Sequence, residues 1–255
     1  MKYNKNILIN NLKEMNLKKD DTIFIHSSLK SINYDADVIL DSLFEYFNEG
    51  LILLPTHTWK QMNENYNYFN PLEEESCVGL LTNIFRKRKN VIRSLHPTHS
   101  MAGYGKDAKE YLKNEENFNT PTPFKGCYGR LIERNTKILL MGVGLRRCTF
   151  IHSIEEKYDV KNRFTKNPIL FKIQKDNEII ERYFYKHYND KYPHLSEHFD
   201  KLEPILIKKN IIEYYNFGDS KTMLINSIDL YNFVSNLLER DKEVFSDPGE
   251  LIWKE

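Results

Sequence analysis

Five of the eight histidines in the 255-residue chain fall in four short polar segments of its first 155 residues. The segments are "FIHSS", "LPTHTW", "RSLHPTHS" and "FIHSIEE", and they carry His26, His57, His96, His99 and His152. An imidazole can give or take a proton near neutral pH, so histidines that converge on one site point to acid–base chemistry. In "TFIHSIEE", His152 and Glu155 stand three residues apart, which puts both on one face of a helix. The carboxylate could then orient the ring. The same stretch also reads as a plain helix start, with Thr149 as N-cap, or with Ser153 and Glu156 as a capping box. Taken alone it leaves His152 open between a base and a helix-start residue.

Other motifs narrow the chemistry by elimination. "GVG" at Gly142–Gly144 lacks the third glycine of a dinucleotide fingerprint. There is no phosphate-loop sequence and no GxSxG nucleophile elbow. Ser27 and Ser28 follow a strand-like run, where hydroxyls and backbone N–H groups suit an anion such as a pyrophosphate, or simply make a turn. His194 and His198, at i,i+4, have metal-ligand spacing, but no HExxH and no nearby cysteine accompany them. No metal is expected. Cys77, Cys127 and Cys148 form no CxxC pair, so neither a disulfide framework nor an oxidising compartment is expected. "RKRK", Arg86 to Lys89, reads as a solvated helix end.

Lys+Arg 37 against Asp+Glu 36 gives a formal net charge of +1. That balance supplies no general field for nucleic acid or an anionic membrane, so neither is expected as a partner. The N-terminal stretch has no signal-peptide core, and no apolar run nears the roughly 18–20 residues that span a bilayer. A cytoplasmic protein is the expectation, as a monomer or a homodimer.

The elements that must position these residues follow from hydrophobic period. Ile7, Leu8, Leu12 and Met15 fit one face of a first helix. "TIFIH" (22–26) and "LILLP" (51–55) read as buried strands, joined through the polar connection "SSLKSINYDA" and an amphipathic helix with Asp37 as cap and Gly50 as closure. Strand, helix, strand over about thirty residues is a βαβ unit and favours a parallel sheet. A further helix covers "CVGLLTNIFRKRK", another begins within "TPTPFKGCYGRLIERN", and "KILLMG" is a buried strand that leads into the helix of Glu155. In an open parallel sheet the carboxyl ends of strands gather at one edge, where ligands bind. After residue 164 the pattern changes to antiparallel strands with a turn at Asp176-Asn177, a helical stretch broken at Pro204, then strands and a last helix. The expected fold class is α/β: a mixed, largely parallel central sheet flanked by helices, with an additional β-rich part in the C-terminal third. One domain over 1–255 is expected, with a core over 1–160 and a β-rich and helical completion over 161–255.

The segments "DDTIFIHSSLKSI", "LILLPTHTW", "VIRSLHPTHSMAGYGKDA", "TPFKG" and "ILLMGVGLRRCTFIHSIEE" stand in an order and spacing that resemble the aminoglycoside 3-N-acetyltransferase (antibiotic acetyltransferase) family. The resemblance is clear over residues 5–160 and weaker beyond. It implies an α/β/α fold, acetyl-CoA as co-substrate and a primary amine on a sugar as acceptor. By matching positions it implies that Ser27, Ser28, Leu29 and Lys30, with Ser100 and Phe124, hold CoA. It implies that Thr56, His57, Thr58, Trp59 and His96 line the thioester end, the oxyanion and the acceptor. His152 and Glu155 would be the catalytic pair, and the C-terminal third would contribute on the acceptor side. Asn33 stands where members often have glycine, and Asn83 where glutamate is common. An aminoglycoside 3-amino group is the first acceptor implied, and a nucleotide-linked amino sugar of surface polysaccharide synthesis is the alternative. Basic groups such as Lys60, Arg146 or Arg147 at the cleft would favour the second, and an acidic cleft, for instance from Glu73–Glu75, the first. A non-catalytic protein that binds CoA or sugar is the reading from another class.

Overall fold

The computed structural model describes residues 4–191 and 195–251. In chain order the elements begin with α1 (Lys5–Glu14), β1 (Thr22–Ser27), α2 (Leu29–Ile32), α3 (Ala36–Tyr46) and β2 (Leu51–Pro55). Then come β3 (Tyr68–Phe69), α4 (Leu80–Phe85), β4 (Ile92–Arg93), β5 (Met101–Gly105), α5 (Ala108–Leu112), β6 (Lys137–Met141) and α6 (Thr149–Lys157). The last third holds β7 (Ile169–Lys175), β8 (Glu178–Phe184), α7 (Glu203–Lys208), β9 (Ile212–Phe217), β10 (Ser220–Asn226) and α8 (Ser227–Arg240).

Seven strands form one sheet in the order β4-β5-β2-β1-β6-β10-β9. The mixed sheet expected from the sequence is present, and its parallel part is the central trio β2-β1-β6. The flanking pairs β2·β5, β4·β5, β6·β10 and β9·β10 are antiparallel. The central strands are buried on both faces, which is why they read as unbroken apolar runs. Side chains alternate along β1, so Ile23 and Ile25 enter one core with Leu8, Leu12, Ile39 and Leu43 of α1 and α3. Phe24 enters the other, with Phe150 and Ile154 of α6 and Leu230 and Val234 of α8. That alternation also sends His26 to the α6 side, edge-on to Phe24 at 4.6 Å between ring centres.

The β-rich addition is a three-stranded sheet, β3-β7-β8, whose hairpin turns at Asp176 as expected. It encloses a small core of its own, with Met62, Phe69, Phe171 and Phe184. The expected break at Pro204 is also present: the 3-10 stretch Leu195–Leu202 gives way to α7, with the proline in its first turn, where a missing N–H costs nothing.

Several local expectations are corrected. The connection after β1 is not merely polar loop. Ser28 caps α2, and Asn33 closes it in the left-handed region, a conformation asparagine adopts more readily than most residues. Asp35, not Asp37, caps α3, because its carboxylate accepts the Asp37 N–H. Ile7 is exposed, outside the buried face of Leu8, Leu12 and Met15. Gly129–Arg134 is a 3-10 segment rather than an α-helix. "RKRK" is not simply solvated: Arg86 is buried and donates to the Leu72 and Glu73 carbonyls, while Arg88 pairs with Asp37 and Asp41.

Candidate active site

The carboxyl ends of β1, β2 and β6 open on a cleft of about 850 Å³. β1 contributes His26 and Ser27; the turn after β2 contributes His57, Trp59 and Lys60; the turn after β6 contributes Val143, Arg146 and Arg147. His152 enters from α6, and Lys186, His187 and Asn189 from the irregular segment that leaves β8.

α6 begins at Thr149, and the Cys148 cap position makes no side-chain bond to it. Neither cap expected from sequence is therefore used. Ser153 lies inside the helix, fully buried. Glu156 reaches away, where its carboxylate accepts from the Thr120 hydroxyl and from the Thr122 N–H and hydroxyl, each at 2.6 Å. What the helix start does supply is the pair. His152 Nδ1 is 2.8 Å from Glu155 Oε2, and Arg163 Nε donates to Glu155 Oε1, also at 2.8 Å. Glu155 is 1% exposed and Arg163 4%. Burial pushes the Glu155 carboxyl up, but the bonds and charges of His152 and Arg163 outweigh it and hold the group below its ordinary value. An ionised Glu155 accepts the Nδ1–H, which leaves Nε2 of His152 as the ring atom with a free lone pair.

The imidazoles form a row. His57 lies 4.6 Å from His99, His99 4.9 Å from His187, and His187 4.5 Å from His152, measured between ring centres. His57 Nε2 is 2.7 Å from the Tyr128 hydroxyl. The Nε2 atoms of His26 and His187 are buried without a partner. Burial, with the Arg147 charge added, lowers His26 to about 3, and burial lowers His96 to about 4. Burial and the neighbouring imidazoles push His57, His99 and His187 well below the usual histidine value. All five are thus neutral at physiological pH.

The residues implied by the resemblance divide into two groups. Ser27, His57, Trp59 and His152 line the cleft, with Glu155 behind His152. The others have structural partners. His96 donates to the Thr120 carbonyl and accepts the N–H groups of Thr98 and His99, so it braces the segment that presents His99. Thr56 and Ser100 hydrogen-bond to each other at 2.9 Å and take Arg93 Nε between them. The Thr58 hydroxyl donates to the Pro97 carbonyl, which removes it as an oxyanion donor. Phe124 packs against Tyr231 and Lys157 instead of the cleft. The Ser28 N–H is spent on the Met141 carbonyl and its hydroxyl on the Ser31 N–H; Leu29 packs into the α1–α3 core, and Lys30 is exposed. The implied CoA contacts from Ser28 to Lys30 are thus not made ready by side chains.

Sequence reasoning passed over His187 and Arg163. "FYKHY" reads as strand, and nothing local marks its histidine. Arg163 stands only eight residues after Glu155, a cue that went unused. His194 lies outside the described residues, and His198 donates Nδ1–H to the Phe245 carbonyl. Among the described residues no group of three His, Cys, Asp or Glu could hold a metal, and no helix is long and apolar enough to cross a membrane.

The cleft is basic. Lys60, Arg146, Arg147, Arg163 and Lys186 line it, and no carboxylate does among the described residues. The acidic run that was expected near it is otherwise engaged: Glu74 accepts from Gln61 and Tyr66, and Glu75 lies 3.6 Å from Lys87.

The model of the aminoglycoside 3-N-acetyltransferase family matches residues 24–239. The chain belongs to this family. Over 175 residues it is 26% identical to the SPbeta prophage-derived aminoglycoside N(3')-acetyltransferase-like protein YokD of Bacillus subtilis, a match that covers 59% of this chain and 64% of that protein. The chain spans less than two thirds of the length of the curated relatives it matches. Its fold is that of aminoglycoside acetyltransferase AAC(3)-IVa, seen as a variant in complex with gentamicin: TM-score 0.81, 21% identity, 96% of this chain and 92% of that one. AAC-IIIb with CoASH gives a TM-score of 0.80 at 16% identity, covering 92% of this chain and 96% of the other.

Proposed function

We propose that this chain transfers an acetyl group from acetyl-CoA to a primary amine of an amino sugar, with His152 as general base and Glu155 as the carboxylate that orients it. The observation that carries the reading is the His152–Glu155 pair: a buried, ionised carboxylate fixes Nδ1 and leaves Nε2 to the cleft. A protonated amine has no lone pair for a thioester, so a neutral base must take its proton. His152 Nε2 passes that proton to solvent and, neutral again, accepts a second one as the amine nitrogen attacks the acetyl carbonyl carbon. The tetrahedral intermediate collapses with loss of CoA thiolate, which takes the proton back and leaves as the thiol. No covalent enzyme intermediate is needed. Backbone N–H groups at the strand ends, rather than Thr58, would meet the oxyanion.

Family membership and the likeness to a solved structure of AAC-IIIb with CoASH support CoA as the co-substrate. Ser27 and Arg147 would meet its phosphates. The chain would act as one unit, with residues up to about 160 carrying CoA and the base. The remainder would supply the acceptor wall through Lys186, His187 and Asn189. The test is thiol release from acetyl-CoA with a panel of amines, wild type beside His152→Ala. A loss of at least a hundredfold in kcat is expected from removal of a general base. Unchanged turnover in the variant sinks the assignment.

A further inference from the structure

Two groups of cationic side chains line the cleft that holds the histidine row. One holds Arg146 and Arg147, beside Ser27 and His26; the Arg147 charge acts directly on the His26 ring. Arg146 has a partial partner there, since Asp200 lies 3.8 Å from its Nε. The other corner holds Lys60 and Lys186. Lys186 Nζ donates at 2.6 Å to the carbonyl of Met62, two residues beyond Lys60. Cys77 ties the corner together: its N–H donates to the His57 carbonyl, its thiol feels the charge of Lys60, and it acts in turn on Lys186.

The second corner is not built for a polycation. Neither lysine makes an ion pair with a described carboxylate, and no described carboxylate lines the cleft. Lys186 is half-buried, and burial lowers its pKa more than the charge of Glu64, which forms no ion pair with it, and Cys77 raise it. A partly buried ammonium bonded to one carbonyl, with Glu64 acting on it only through space, has room for the countercharge of a ligand. CoA phosphates already have arginines at the first corner, so they leave this one free. A polyamine would bring further positive charge against two lysines, a juxtaposition that opposes binding.

The geometry points to an acceptor that carries negative charge: an amino sugar bearing a phosphate, whether a simple sugar phosphate or a nucleotide-linked sugar, with its anionic group between Lys60 and Lys186 and its amine at His152. This rests on the N-acetyltransferase reading above and narrows its acceptor.

The experiment is binding calorimetry on the full chain saturated with CoA, which occupies the arginine corner. CoA titrated into the chain alone reads the proposed function separately. Onto the CoA complex, glucosamine, glucosamine 6-phosphate, UDP-glucosamine and gentamicin are titrated in turn. At least one of the two phosphorylated sugars should bind about tenfold or more tighter than glucosamine, with gentamicin weakest, and the preference should shrink as salt is raised. Which of the two binds tighter separates a sugar phosphate from a nucleotide sugar. Lys60→Gln, at an exposed position, should weaken the phosphorylated sugars far more than glucosamine and so remove most of the preference; Lys186→Gln should shrink the same ratio, whatever it does to glucosamine itself. Gentamicin binding as tight as either phosphorylated sugar, or phosphorylated sugars no tighter than glucosamine, overturns the inference even where CoA binds well.

Discussion

Replacing Glu155 with glutamine separates two roles that one carboxylate plays. Glutamine keeps the shape and can still accept a hydrogen bond, but it carries no charge. Its two partners then fare differently. His152 loses the group that fixes its tautomer, so turnover should fall at neutral pH. Arg163, 4% exposed, loses the carboxylate 2.8 Å from its Nε. Removing one member of a buried pair costs about 3–5 kcal/mol, because the remaining charge stays desolvated without compensation. The carbonyls of Lys161 and Asn162 and the Ser246 hydroxyl also bond Arg163, so about 3 kcal/mol is the expected cost. For a chain of this size that corresponds to roughly 6–12 °C in Tm. The companion variant Arg163→Met removes the stranded charge. The double variant Glu155→Gln/Arg163→Met should melt above Glu155→Gln while remaining as slow. Thermal melts and thiol-release rates on the four proteins complete the cycle. A Glu155→Gln protein that melts with wild type, or a double variant whose losses are the sum of the singles, would refute this account of the pair.

The buried imidazoles make the chain acid-sensitive. His26 at about 3 and His96 at about 4 lie below the ordinary value of 6.5, so their stabilising contribution is complete above that value and is lost as pH falls toward the folded values. By about pH 5 each should cost about 2 kcal/mol, and urea melts between about pH 7 and 5 should register the loss. Gly142 has φ +68°, and a Cβ there would stand 2.4 Å from that of Ser31. Gly142→Ala should therefore cost about 2 kcal/mol or more and disturb the β1–β6 edge, read as lower Tm and weaker CoA binding. Tyr128→Phe removes the hydroxyl 2.7 Å from His57 Nε2 and should cost about 1–3 kcal/mol, measured by denaturant melts.

The β1–α3–β2 unit, the buried strand before α6 and the β7–β8 hairpin were legible because hydrophobic period is a local signal. So was the pairing of His152 with Glu155, since three-residue spacing on a helix leaves little freedom. The partners of Glu156 were not legible: Thr120 and Thr122 are more than thirty residues away and belong to a Pro-rich loop whose path only the packed core sets. For the same reason the polar residues of "LPTHTW" and "RSLHPTHS" looked like site residues, whereas Thr56, Thr58, His96 and Ser100 satisfy one another and the nearby backbone. A short polar run after a strand must first satisfy its own buried groups, and sequence does not say which side chains remain for a ligand. His187 is the converse case, a residue placed at the site only by the fold of a distant hairpin.

That hairpin sheet closes on Met62, Phe69, Phe171 and Phe184 and takes no side chain from either of the two large cores. The wall bearing Lys186 and His187 leaves directly from its β8 strand, whereas His152 and Glu155 are anchored in α6 against the main sheet. On the proposed reading, recognition and bond-making therefore rest on separate foundations. Residues of β7 and β8 away from His187 can be exchanged for those of a relative without touching the His152–Glu155 pair proposed to move the proton. A lineage could acquire a new acceptor in this way, by remodelling one detachable wall around an unaltered reaction.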